Sequence, residues 1–266
     1  MDTLVQLVGG YRERDKLIRL CQYVARFLAG TGQTNMGARF SIIAQEFGKC
    51  RTVLRLFDDI PMLAYTLHYG LGKKESNSGI RFLTLLGNCA NQLYFPLEHV
   101  SWCAQNKICS KGSLEGPSLW GRFRNWLSGR PTPKSSIIDN KWATRCLVLW
   151  AVSLLTEIIK AFIRINLNRN SQKRLLKEQQ LEARNESDSS EMTTNIRSQI
   201  RALESQERDH YWAIVENCAD LFNAINWLPA GYLWAGKFTS RFCGGMGTIS
   251  SAIKLYRIHS AKWNVS

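Results

Sequence analysis

Among its 266 residues the chain has no CxxC pair, no GxxxxGK[ST] or strand-led GxGxxG phosphate loop and no GxSxG elbow. Gly244-Gly245-Met246-Gly247 has neither phosphate-loop context around it. The four histidines, at 68, 99, 210 and 259, fall in separate segments with no cysteine, histidine or carboxylate at ligand spacing. No metal and no cofactor is therefore expected. The one tempting acidic pair, Asp58-Asp59, stands next to Pro61 and is expected to cap a helix turn, not to serve as an acid/base dyad. These absences exclude the familiar catalytic layouts, and the chain is not expected to be an enzyme.

Acidic residues are scarce too. Lys and Arg number 35 against 21 Asp and Glu, giving a formal charge of +14. Such a balance calls for an anionic partner. Nucleic acid is disfavoured, because zinc-finger spacing, an RNP-type aromatic motif and a basic helix without an apolar face are all missing. Disulfide spacing is missing as well. The eight cysteines sit mostly among apolar neighbours, and with no charged-then-apolar leader at Met1 they are expected to be reduced thiols facing cytosol.

A long, uninterrupted apolar run is also lacking. In KWATRCLVLWAVSLLTEIIKAFIRI, residues 141–165, Glu157 and Lys160 fall within the roughly 20 residues that a bilayer span needs. This segment can span if those two side chains face another helix. A second weak candidate is 238–258, where Gly244, Gly247 and Ser251 form a small-residue face of the kind that lets helices approach closely in membranes.

What the sequence does have is helical periodicity with positive borders. In 12–28, Leu17, Leu20 and Val24 lie on an apolar arc opposite Arg12, Lys16 and Arg19. In 49–69, Val53, Leu56, Phe57 and Ile60 share one face, with Arg51 and Arg55 on the other; Pro61 is expected to kink or restart this helix. A helix over 80–103 is expected to be interrupted at Pro96.

The expected organisation is all-α. It comprises an N-terminal amphipathic helical region (1–111), a Gly/Pro/Ser loop (112–140), a first membrane segment (141–165), a charged, mobile or partly helical linker (166–209) and a C-terminal helical region with a glycine-rich membrane segment (210–266). Net charge alternates: +9 over 1–141, −2 over 166–227, +5 over 228–266. Positive flanks favour the cytosolic side, so both ends are expected there.

The ordered series YRERDKLIRLCQY, CRTVLRLFDD with LHYGLG, RFLTLLGNCANQLYFPLEHVSW, KWATRCLVLWAVSLL, ENCADLFNAINWLP and GGMGTISSAIKLY resembles the peroxisomal membrane protein 11 family, most closely its gamma type. The resemblance implies a peroxisomal membrane protein that promotes elongation, proliferation and fission of peroxisomes. It also implies partners: the protein itself and other family isoforms, fission adaptors and a dynamin-like GTPase. The family's amphipathic, membrane-bending segment aligns with Cys50 to Leu67.

On this reading Leu17, Leu20, Val24, Val53, Leu56, Phe57 and Ile60 enter the acyl boundary. Arg12, Lys16, Arg19, Arg51 and Arg55 meet anionic headgroups, and Gly244, Gly247 and Ser251 supply a helix–helix contact. Two alternatives stay open. One is a pore for small metabolites lined by Glu157 and Lys160; the other is a soluble helical scaffold.

Overall fold

The structure, a computed structural model, describes residues 10–30, 34–106, 108, 135–184 and 190–263. These residues form seven helices and no strand: α1 (Tyr11–Ala29), α2 (Asn35–Arg55), α3 (Asp59–Tyr69), α4 (Ser78–Gln105), α5 (Ser135–Arg184), α6 (Ser190–Asn226) and α7 (Ser240–Trp263). The fold is all-α.

Local chemistry sets the boundaries. Thr34 caps α2 by accepting the Gly37 N–H at 3.0 Å, and Asn77 caps α4 by accepting that of Ile80 at 3.0 Å. Gly30 and Gly70 end α1 and α3 with positive φ, a conformation that costs other residues. Residues 56–58 break the helical run, and α3 restarts with Pro61 in its first turn, where a missing N–H is harmless. Asp58 occupies the cap position without a side-chain cap bond; Asp59 Oδ1 accepts the Ile60 N–H at 2.9 Å instead.

Pro96 departs from expectation. It lies inside an unbroken α4, on an exposed part of its surface, where the one acceptor left without its helical bond, the Gln92 carbonyl, belongs to a half-buried residue. The charged stretch 166–209 is largely helix as well. α5 runs on to Arg184 and α6 begins at Ser190, with Arg169 bridging Glu207 at 2.9 Å between them. Charges of both signs thus pair across an extended antiparallel hairpin. Most of the expected loop 112–140 lies outside the described residues, and α5 already begins at Ser135.

Packing runs α2, α1, α7, α6, α5, α4, with α3 laid on α4. The circuit closes where Arg55 at the end of α2 meets Glu98 of α4 and where His99 Nε2 contacts the Leu56 carbonyl at 3.0 Å. First and last helices are therefore direct neighbours.

At the α1–α7 seam the glycines are required. A Cβ on Gly244 would stand 2.5 Å from the Phe27 backbone nitrogen, and one on Gly247 would stand 2.1 Å from the Tyr23 ring. The fully buried side chains at the α1, α6 and α7 junction are Asp220, Asn223, Ser250 and Ser251. Small and polar groups fill this junction beside Tyr23, Ile225 and Ile253, and many large apolar side chains elsewhere face out. That inversion is the packing habit of helices in lipid.

Candidate membrane interface

Helix α3 buries none of its eleven residues. Ile60, Leu63 and Leu67, with Phe57 before the helix and Leu71 after it, are 49–73% exposed. They recur at three- and four-residue intervals, so one apolar stripe points away from the protein. The opposite side is tethered by Gln92 Nε2, which donates to Thr66 Oγ1 at 3.0 Å. Exposed Lys73 and Lys74 follow directly, and Arg81 is exposed at the start of α4. Stripes of exposed apolar residues continue on α4 (Phe82, Leu86, Leu93) and on α5 (Val148, Leu155, Ile159, Phe162). Contiguous apolar surface of this extent marks a membrane or protein contact.

Beneath that surface lies a network of buried charges. Arg19 of α1 pairs with Asp220 of α6 and donates to Ser250 Oγ of α7 at 3.3 Å. Lys254 of α7 takes the second Asp220 oxygen at 2.6 Å. Arg51 of α2 donates to Asp15 of α1 at 3.0 Å, and Lys16 approaches the same carboxylate at 2.7 Å. Tyr11 donates to the Leu54 carbonyl at 2.7 Å and to Asp58 at 3.2 Å, pinning the start of α1 to the end of α2. Burial, reinforced by the Asp58 charge, pushes the Tyr11 phenol up to about 12. For Lys254, burial and the Arg19 charge outweigh Asp220, and its ammonium falls to about 8.

A family model, Peroxisomal biogenesis factor 11 (PEX11), matches residues 1–129 and 132–259. The chain belongs to this family. It is 34% identical to human Peroxisomal membrane protein 11C over 264 residues, covering 97% of this chain and 93% of the relative. Against the mouse protein of the same name the identity is 34% over 259 residues, covering 95% and 92%. No solved structure matches.

In this PEX11-family chain the apolar candidates divide. Val53, Phe57 and Ile60 stand well out, at 44%, 68% and 70% exposure, and Val24 is exposed. Leu17, Leu20 and Leu56 are half-buried between helices. The cationic candidates turn inward: Arg19 and Arg51 are buried and Arg55 is partly buried, each held by a carboxylate. Lys16 is committed to Asp15, and the Arg12 side chain lies outside the described residues. α2 and α7 pack on the side of α1 that carries Asp15, Arg19 and Tyr23, so its polar face is an interior one, while Val24, Phe27 and Leu28 stay exposed. Gly244 and Gly247 face α1 inside the same molecule, and Ser251 is fully buried with its hydroxyl donating to the Gly247 carbonyl, so none is left open for a second copy.

Among the described residues only one helical stretch, Lys141–Leu181, is long and apolar enough to cross a membrane, with a mean hydropathy of 2.0 in its most apolar part. The expected second segment, 238–258, is not a second such helix. Its α7 carries Arg241, Lys254 and Arg257 among small residues that are used against α1. Glu157 and Lys160 pair with each other at 2.6 Å across one turn of α5.

Periodicity missed the connection between α6 and α7. There Tyr232 and Leu233 protrude, Leu233 with a φ of 36°. Trp234 folds back against Phe222 and donates to its carbonyl at 3.1 Å. The aromatic density around Pro229-Ala230-Gly231 was the available signal.

Acid should loosen the α1–α2 pair of this PEX11-family fold. Burial alone would raise Asp15, but the charges of Arg51 and Lys16 more than offset it and hold the carboxyl near a pKa of about 2. A depressed carboxylate contributes stability that is complete above its unfolded pKa and is lost as pH falls through the folded one. Thermal unfolding in neutral detergent should therefore drop in midpoint between about pH 4 and pH 2. Asp15→Asn should flatten that slope; an unchanged slope would remove Asp15 as its source.

Proposed function

We propose that the chain is a peroxisomal membrane protein that elongates and helps divide peroxisomes by wedging the apolar face of α3 into the cytosolic leaflet. The observation that carries this is an eleven-residue helix, rich in large apolar side chains, that buries none of them. Family membership and the names of the two relatives support the compartment. A shallow helix expands one leaflet against the other, which favours curvature. At the membrane surface Lys73, Lys74 and Arg81, all exposed, take the headgroup role, because Arg19, Arg51 and Arg55 are turned inward from it.

The seam between α1 and α7 supports placing both termini on one side, in the cytosol. A lone crossing by α5 would separate helices that pack together, so α6 returns alongside it. Self-association and contact with other isoforms then use outward faces such as the α5 stripe. Fission adaptors and a dynamin-like GTPase would be recruited on the cytosolic side.

The triple variant Phe57→Ser, Ile60→Ser, Leu67→Ser tests the wedge. Each side chain is worth roughly 1.5–3 kcal/mol when moved from water into an apolar phase, so affinity for anionic vesicles should fall at least about a hundredfold. Cells carrying it should show short, undivided peroxisomes. Unchanged vesicle binding and unchanged peroxisome length would reject the wedge.

A further inference from the structure

Inside the circuit of helices, α1, α2, α4 and α5 enclose a partly open cavity of about 490 Å³. Three guanidinium groups, of Arg19, Arg51 and Arg55, share its wall. Arg19 and Arg51 are only 6% and 8% exposed. The bonds that hold these arginines do not use up their donors. Arg19 Nε is buried with no hydrogen-bond partner. Arg51 bonds through Nε and Nη1, and Arg55 through Nε and Nη2, which leaves Arg51 Nη2 and Arg55 Nη1 with no bond among the described residues. The two carboxylates of the wall are already served: Glu98 by Arg55 and by the Tyr94 hydroxyl at 2.8 Å, Asp58 by the Tyr11 hydroxyl.

A buried guanidinium N–H left unpartnered, as at Arg19 Nε, is costly, and the neighbouring like charges add to the cost. Burial, with the Arg19 and Arg55 charges working against Asp15, lowers the pKa of Arg51. An anion with several oxygens, entering among the three forks, would satisfy those donors and screen the repulsion. The remaining wall mixes polar side chains (Thr52, Asn91, Ser101, Gln105) with apolar and aromatic ones, among them Leu147 and the stacked pair Trp150 and Trp227, 6.0 Å apart. Guanidinium groups and indole rings in one cavity wall suit an amphiphile.

We propose that this cavity binds a phosphate group carried on an apolar tail, with Arg19, Arg51 and Arg55 as its ligands. The chemistry is that of a phospholipid headgroup drawn in from the leaflet or of a soluble organic phosphate.

Calorimetric titration of the full chain in neutral detergent separates these sources. The probes are dihexanoyl phosphatidic acid, inorganic phosphate and decanoate. Saturable one-to-one binding of the phosphatidic acid is expected. It should weaken at least about tenfold in Ala143→Trp, which fills the cavity, and in the pair Arg51→Lys, Arg55→Lys, which keeps the charges but loses the forks. If Ala143→Trp fails to fold by circular dichroism, the lysine pair decides. The Phe57, Ile60, Leu67 serine triple should bind normally, so failure of the wedge leaves this site standing. Saturable binding of inorganic phosphate with equal strength would identify a soluble phosphate as the ligand and overturn the apolar tail. No saturable binding of either phosphate probe, equal binding of decanoate, or full binding by the folded variants would overturn the proposal.

Discussion

Asp220→Ala should destabilise the protein by about 3–5 kcal/mol, the usual cost of removing one partner from a buried charge network. Asp220 is fully buried and is shared by Arg19 and Lys254, so its loss strands two cations at the junction of α1, α6 and α7. Thermal or denaturant unfolding in detergent would measure this. The triple Arg19→Met, Asp220→Leu, Lys254→Met discriminates the cause. Apolar replacement of a complete buried ion network is often neutral or stabilising, so the triple should recover most of the loss. If the triple is as weak as Asp220→Ala alone, the penalty comes from packing and the electrostatic account fails.

The second large effect concerns the α1–α7 seam. At Gly244 any Cβ meets main-chain atoms, with the Phe27 nitrogen at 2.5 Å and its Cα at 2.7 Å. Backbone cannot rotate aside as a side-chain tip can. Gly244→Val should therefore push the helices apart and cost about 3 kcal/mol, the upper part of the overpacking range. Gly245→Ala is the control one residue away. Its Cβ would sit 3.6 Å from the Phe27 ring, an ordinary contact, and alanine is the better helix former by about 1 kcal/mol. That variant should be neutral or slightly stabilised. Equal losses at both positions would mean that glycine acts there through something other than close approach.

Much of the fold was legible in the sequence. Apolar residues at three- and four-residue spacing located the helices, and Pro61 announced the restart that sets α3 apart. The shared apolar face of Val53, Phe57 and Ile60 was also legible, and the structure leaves all three exposed. The arginines were not. Periodicity reports which face of a helix is polar, and a polar face is ordinarily the wet one. It does not report that α1 lies between two other helices, nor that Arg19 answers a carboxylate 201 positions away. The small-residue face of 244–251 was legible as a site of close contact, but its neighbour was not. One-dimensional spacing cannot distinguish a second copy from the first helix of the same chain. Pro96 misled for a related reason: whether proline breaks a helix depends on which side its ring faces. The hairpin over 166–209 was hidden by its charge content, since Arg169 and Glu207 read as solvated until they are seen to pair.

That α1 is seated by residues near the opposite end has a consequence for biosynthesis. The hydroxyl of Ser250 that Arg19 reaches is 231 residues downstream. A ribosome adding about 5–20 residues per second needs on the order of 10–50 s to supply it. Throughout that interval the nascent amino-terminal helix has only α2 to pack on, so its junction with α6 and α7 closes late in synthesis.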